Sequence, residues 1–218
     1  MPILQGALRG KKWIVGAGTH GCWLGSYEYN KRILFEKAVQ PGMTVFDIGA
    51  HAGFYSLLAS VLVGPGGRVV AFEPLPRNIK FLMEHLRLNR VHNVQVVEAA
   101  VADVDGVAPF DTGIGSSFGH LANQGQLEVR TVTLDSMIDR GRIPAPHVIK
   151  IDVEGAEYRL LTGAANTLNE HHPVLFLATH GKDQHGDCLG LLHECGYVIT
   201  PVDEANVQTA TELLCVKA

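Results

Sequence analysis

The chain reads as an α/β protein with a mostly parallel seven-stranded sheet that ends in an antiparallel pair. Three observations predict this. Apolar strand-like runs alternate with helix-like segments from Thr44 onward, the pattern of βα units whose strands lie parallel. The runs RVVAF and VLFLA are apolar on both faces, as strands covered by helices on both sides must be. Finally, YVITPV and TELLCVK close the chain with no helix between them, which suits an antiparallel pair.

The elements follow in order. Residues 1–43 are a lead-in expected to pack on a single domain formed by residues 44–218; KWIVGAG reads as a short strand and Tyr29–Gln40 as a helix, broken by QPGM. TVFDIG is the first sheet strand, with a helix over Gly53–Val63 and a GPGG turn after it. RVVAFEP is the second, followed by a helix over Arg77–Asn89, and VQVVEAAV is the third. Residues 101–146 break the rhythm. GVAPFD and EVRTVTL look like extra strands and TLDSMIDRG like a short capped helix, so this segment reads as a β-rich insertion between the third and fourth sheet strands. HVIKIDV is the fourth, followed by a helix over Gly155–Leu168, and PVLFLATH is the fifth, followed by a helix over Gly186–Cys195.

Composition narrows the function. The 218 residues carry a net charge of −4, so no basic field invites nucleic acid. The start, MPILQGALRGKKW, lacks the apolar core of a secretory leader, and no apolar run is long enough to span a bilayer; a cytoplasmic chain with no membrane partner is expected. Of the four cysteines, none sit in a C-x-x-C pair. His180, His185, Cys188, His193 and Cys195 crowd together, but Cys188, Leu191, Leu192 and Cys195 share one helical face, which favours core cysteine over a zinc site.

VFDIGAHAGFYSLL (Val45–Leu58) carries the first chemistry. In open α/β sheets ligands bind beyond the carboxyl ends of the strands. Gly49 allows a sharp turn and a close ligand approach, and Gly53 stands at a helix start, where backbone N–H groups favour an anion. The spacing Asp47, Gly49, Gly53 departs from the dinucleotide fingerprint, whose middle glycine is replaced near His51. An aspartate at the strand tip repels a pyrophosphate and suits S-adenosylmethionine (SAM), which has two positive centres and one carboxylate. Glu73, in AFEP, can accept hydrogen bonds from ribose hydroxyls, and Ala100 and Val101 would wall the adenine.

IKIDVEGAEYRLLTGA carries the second. Asp152 ends a strand beside the first one, and Glu154 and Glu157 open a helix, where acids stabilise the dipole by ~0.3–1 kcal/mol each.

FDIGAHAGFYS, AFEPLPRN, TLDSMID and IKIDVEGAE, in this order, resemble the FkbM-type SAM-dependent methyltransferases, and the lead-in THGCWLGSYE also fits them. The resemblance implies a Rossmann-like class I methyltransferase fold and O-methylation of a hydroxyl on a sugar or secondary-metabolite scaffold, with S-adenosylhomocysteine as the product. It maps Asp47, Gly49 and Gly53 to the cofactor loop, with Ala50, Phe54 and Pro74 as neighbours, and Glu73 to the ribose. Asp152 and Glu154 map to the second acidic motif near the methionine end and substrate, and Glu28 to an acid that closes over the cofactor. One departure stands out: the family's fifth strand often ends E-x-H, whereas this chain reads ATH, with Ala178 in place of the acid and His180 retained.

A hydroxyl nucleophile needs its proton removed, and a histidine suits that task. His180 is the first candidate, followed by His51 and Asp152, with His20 a weaker one near the substrate. Mg²⁺ held by Asp152 and Glu154 ranks below direct base catalysis, so no metal is expected. Ser116 and Ser117, in DTGIGSSFGH, are candidate substrate contacts on a loop above the cleft. Two other readings remain: an NAD-dependent oxidoreductase, and a SAM-fold module that binds without turnover.

Overall fold

The computed structural model describes residues 1–111, 120–121 and 125–218. The elements run α1 (His20–Leu24), α2 (Tyr29–Ala38), β1 (Thr44–Ile48), α3 (Phe54–Val63), β2 (Arg68–Phe72), α4 (Pro76–Leu88), β3 (Val94–Val97) and β4 (Ala100–Val101). They continue β5 (Gly106–Asp111), β6 (His120–Leu121), β7 (Leu127–Val132), α5 (Leu134–Asp139), β8 (Val148–Ile151), α6 (Glu157–Thr162), α7 (Ala165–His171), β9 (Val174–Ala178), α8 (Lys182–Glu194), β10 (Tyr197–Pro201) and β11 (Glu212–Lys217).

The main sheet has seven strands in the order β10-β11-β9-β8-β1-β2-β3. β1 pairs parallel with β2 and β8, β8 pairs parallel with β9, and the closing strands β10 and β11 are antiparallel. β1, β8 and β9 are almost wholly buried, which is why their sequences lack a polar alternation. The order reverses between β1 and β8, so the loops after β1, β2 and β8 converge at a topological switch point. A second sheet, β4-β7-β5-β6, is the predicted insertion.

Several expectations are corrected. KWIVGAG forms no strand; its main ladder contact is the isolated Pro2–Lys12 bridge, and Trp13 is buried against α3 instead. The third strand splits, because the chain leaves the main sheet after Val97 and Ala100–Val101 joins β7. The helix expected over Gly155–Leu168 is two helices. The break falls at Gly163, where a Cβ would overlap the Ala102 carbonyl, and the Asp135 carboxylate accepts from the amides of Asn166 and Thr167 at the start of α7. α1 was not anticipated, and α8 begins earlier than expected, at Lys182. The short capped helix is α5, whose Thr133 hydroxyl accepts from the Ser136 amide.

All four cysteines are buried and free, and Cys188 and Cys195 pack in the main core. Among the described residues no helix is long and apolar enough to cross a membrane.

Candidate functional site

A cleft of about 960 Å³, open solvent included, lies at the switch point. The loop after β1 forms its floor. Gly49 has φ +75°, and a Cβ there would overlap the Asp152 carbonyl oxygen. Gly53 has φ +88°, and its Cβ would strike Leu82 of α4. The sharp turn expected at Gly49 is present, and backbone packing requires glycine there; at Gly53 the left-handed φ is the stronger reason.

The loop amides turn inward. Gly49 N and Ala50 N donate to the Phe72 carbonyl at 3.1 and 3.0 Å, His51 N donates to Glu73 Oε2 at 2.7 Å, and Gly53 N donates to Ala50 O at 2.8 Å. The anion-binding role expected at Gly53 is thus not available to its own amide.

Glu73 is the hinge of this arrangement. Its Oε1 accepts from Leu75 N at 3.0 Å and Asn78 Nδ2 at 3.2 Å. Burial pushes its pKa up, against these hydrogen bonds. It clamps the β1 and β2 loops together while still lining the cleft.

Asp47 is 1% exposed and is not among the cleft-lining residues. Its Oδ2 accepts from Ser56 Oγ at 2.6 Å, and its Oδ1 lies 3.6 Å from Lys150 Nζ. The register explains this: Asp47 is the β1 residue opposite Lys150 in β8. Lys150 also lies 3.6 Å from Asp152 Oδ2 and donates to the Gly49 carbonyl at 3.2 Å. Burial alone would pull its pKa down, but Asp152 and Asp47 outweigh this and push it up. Likewise, burial works to raise the Asp152 pKa, while Lys150, Lys31 and His180 hold it low.

Asp152, Glu154 and His180 converge at one edge. His180 Nε2 lies 3.4 Å from Glu154 Oε2 and 3.8 Å from Asp152 Oδ1. His180 Nδ1 is 2.7 Å from Oε1 of Glu157, which is wholly buried. The Glu157 hydrogen bond, with Glu154 and Asp152 nearby, raises the His180 pKa to about 9 despite burial. Below that pH the ring is an imidazolium, so His180 is ill placed to act as a free base at neutral pH. Glu154 has φ +54° and His51 φ +50°; left-handed backbone at non-glycine residues marks strain of ~1–3 kcal/mol held by the surroundings.

The lead-in closes the other side. Trp13 stacks on His85 with centroids 3.8 Å apart. The His85 ring takes the Ile14 amide on Nε2 at 2.9 Å and donates from Nδ1 to the Ala52 carbonyl at 2.7 Å. Lys31 Nζ sits between Glu28 Oε2 at 2.5 Å and Glu212 Oε1 at 2.8 Å.

Of the residues expected at the site, Gly49, His51, Glu73, Pro74, Ala100, Val101, Asp152 and Glu154 line the cleft. Ala50, Gly53 and Phe54 shape the loop without lining it, because Ala50 and Phe54 point into packed layers. Glu28 is likewise absent from the lining and is paired with Lys31. His20 is exposed on α1 beside Trp23, away from the lining. Ser116 and Ser117 lie outside the described residues. Sequence reading missed Lys150, although a lysine inside the apolar run VIKI, beside the aspartate of TVFDI, was a signal. It also missed Asn78, Trp13 and Phe110 as lining residues.

The chain is similar to known methyltransferases. A family model described as the methyltransferase FkbM domain matches residues 47–199. The chain is 30% identical over 196 residues to the 31-O-demethyl-FK506 methyltransferase FkbM of Streptomyces tacrolimicus, covering 74% of this chain and 75% of that one. It is 26% identical over 155 residues to the hexuronic acid methyltransferase AglP of Haloferax volcanii, covering 70% of this chain and 62% of that protein; the chain thus spans less than two thirds of that relative. The crystal structure of a methyltransferase FkbM from Methylobacillus flagellatus superposes with a TM-score of 0.59 at 18% identity, over 92% of this chain and 56% of that one, which supports the Rossmann-like fold.

Proposed function

The chain belongs to the FkbM family of SAM-dependent methyltransferases, and from that premise we propose that it O-methylates a hydroxyl group of a small molecule. The observation that carries the choice of cofactor is the inward turn of the loop amides. Dinucleotide folds cradle a pyrophosphate with such amides, whereas here Gly49, Ala50 and His51 spend theirs on β2 and Glu73. The described cleft lining also includes Glu73, Asp152 and Glu154 but neither lysine nor arginine. This suits a cationic cofactor without phosphate and counts against NAD.

When bound, SAM supplies a methyl group activated by a positive sulfur. In this reading Glu73 holds the ribose, and Ala100 and Val101 flank the adenine. Asp152, kept ionised by Lys150, faces the methionine end. Asp47 acts at one remove, by fixing Lys150. The chain's contribution to rate is alignment of the acceptor hydroxyl. His51, the histidine in the cleft lining, is the proposed proton acceptor, and His180 positions Asp152 and Glu154. The two relatives named for 31-O-demethyl-FK506 and for a hexuronic acid support a hydroxyl acceptor on a sugar or secondary metabolite.

Titration calorimetry with SAM, S-adenosylhomocysteine and NAD tests this. Binding of the first two and not the third is expected; binding of NAD alone would overturn it. SAM binding without turnover on any hydroxyl acceptor would favour a non-catalytic module.

A further inference from the structure

We propose that Asp152, Glu154 and His180 bind one divalent cation of the Mg²⁺ or Mn²⁺ type, whose open positions take a hydroxyl oxygen of the acceptor. The acceptor's role rests on the methyltransferase reading; the cation's ligands do not.

Each of the three residues offers one ligand atom, and these atoms all lie within 4.8 Å of one another. The separations of 3.4 and 3.8 Å from His180 Nε2 to the two carboxylates are too long for good hydrogen bonds. They are close to the spacing of neighbouring ligands around a small cation, since two atoms at about 2.1 Å from a metal stand roughly 3 Å apart or slightly more. The true hydrogen bond of the ring is elsewhere: Nδ1 is held by Glu157 at 2.7 Å. This carboxylate–imidazole arrangement orients metal-ligating histidines and leaves the other nitrogen for the ion.

Charge points the same way. Glu157 is wholly buried, and its Oε2 has no hydrogen-bond partner among the described residues. Lys150, the buried cation beside Asp152, is divided between Asp152 and Asp47 at 3.6 Å each. Four carboxylates, Asp47, Asp152, Glu154 and Glu157, face Lys150 and the His180 ring, and Lys31 is itself paired with Glu28 and Glu212, so the edge holds more negative charge than these cations offset even with His180 protonated. The two carboxylates suit Mg²⁺ or Mn²⁺, the single imidazole favours Mn²⁺ of the two, and the ligand set offers no sulfur to metals that prefer it. Asp152 and Glu154 also line the cleft, so an ion between them would meet a bound acceptor. The sequence alone ranked this below base catalysis because it could not bring His180 to the acids.

Mn²⁺ titration of the full chain, followed by electron paramagnetic resonance, tests the inference. Saturable binding of one ion per chain is expected, weakened at least tenfold in Glu154→Gln and in His180→Asn, and by about tenfold in Glu157→Gln. Circular dichroism confirms folding of each variant, and the variants are read separately so that one misfolded protein leaves the others to decide. Absence of one-per-chain binding, or affinity within twofold of wild type in the folded ligand variants, overturns the proposal. SAM calorimetry on the same samples separates the two readings. SAM binding without specific Mn²⁺ binding defeats the cation site alone, while Mn²⁺ binding without SAM binding defeats the methyltransferase reading and leaves the cation site standing.

Discussion

Glu212 stands directly opposite Ala178 where β11 pairs antiparallel with β9. Opposed residues project their side chains to the same face of a sheet. Glu212 therefore presents its carboxylate on the same face of the sheet as Ala178, from the neighbouring strand. Its Oε1 lies 2.8 Å from Lys31 Nζ, which also holds Glu28 and lies 5.7 Å from the Tyr55 ring centroid.

Glu212→Ala should therefore loosen Lys31 and destabilise the fold by about 1–3 kcal/mol, below the cost of breaking a fully buried pair because Glu212 is partly exposed. Adding Ala178→Glu to that variant should recover at least half of the loss in urea denaturation. No recovery would show that the two positions are not interchangeable.

The Gly49 conformation makes a second outcome definite. Gly49→Ala would combine left-handed strain with overlap on the Asp152 carbonyl. The expected loss is on the order of 2–4 kcal/mol, with weaker SAM binding because β8 must shift. A loss under about 1 kcal/mol would show that the end of β8 gives way freely.

The fold was legible because its signals are local: two-faced apolar runs, turn residues and a closing strand pair. The loop after β1 and the acids around it were legible for the same reason, since Asp47, Gly49, Glu73 and Asp152 all stand at or beside strand ends. What each residue touches was not. Whether Asp47 meets a ligand or Lys150 depends on the β1–β8 register, and the partners of His180 arrive from a different strand and helix. Trp13 and His85 meet across 71 intervening residues, a distance no motif spans. Gly49 shows the same limit: a sharp turn could be anticipated, but not that the space beside it belongs to the Asp152 carbonyl just past β8.

His180 should titrate near pH 9 in the metal-free protein, as followed by imidazole proton resonances. Its folded pKa is raised above the ordinary 6.5, so the stability it contributes is fully present below that value and is lost as pH rises through about 9. Glu157→Gln removes the largest cause of the shift. The resonance should move toward the ordinary range, and the loss of stability across this window should shrink. An unchanged titration would mean that Glu154 and Asp152 alone hold the proton.

His85 should behave in the opposite sense. Burial lowers its pKa, only partly opposed by the Ala52 hydrogen bond. The Ile14 amide already points at Nε2, so a proton there would set two N–H groups against each other. A depressed folded pKa means that this stability is present above the ordinary histidine pKa and is lost as pH falls below it. His85→Phe can retain the stack on Trp13 but orphans the Ile14 amide and the Ala52 carbonyl, at about 1–3 kcal/mol each where they stay dry. The variant should be less stable at pH 8, and its stability should fall less steeply than wild type between pH 7 and 5. Because His85 ties the lead-in to the cofactor loop, SAM affinity should drop in the variant at every pH. An identical acid slope in the two proteins would assign the acid loss to the buried carboxylates instead.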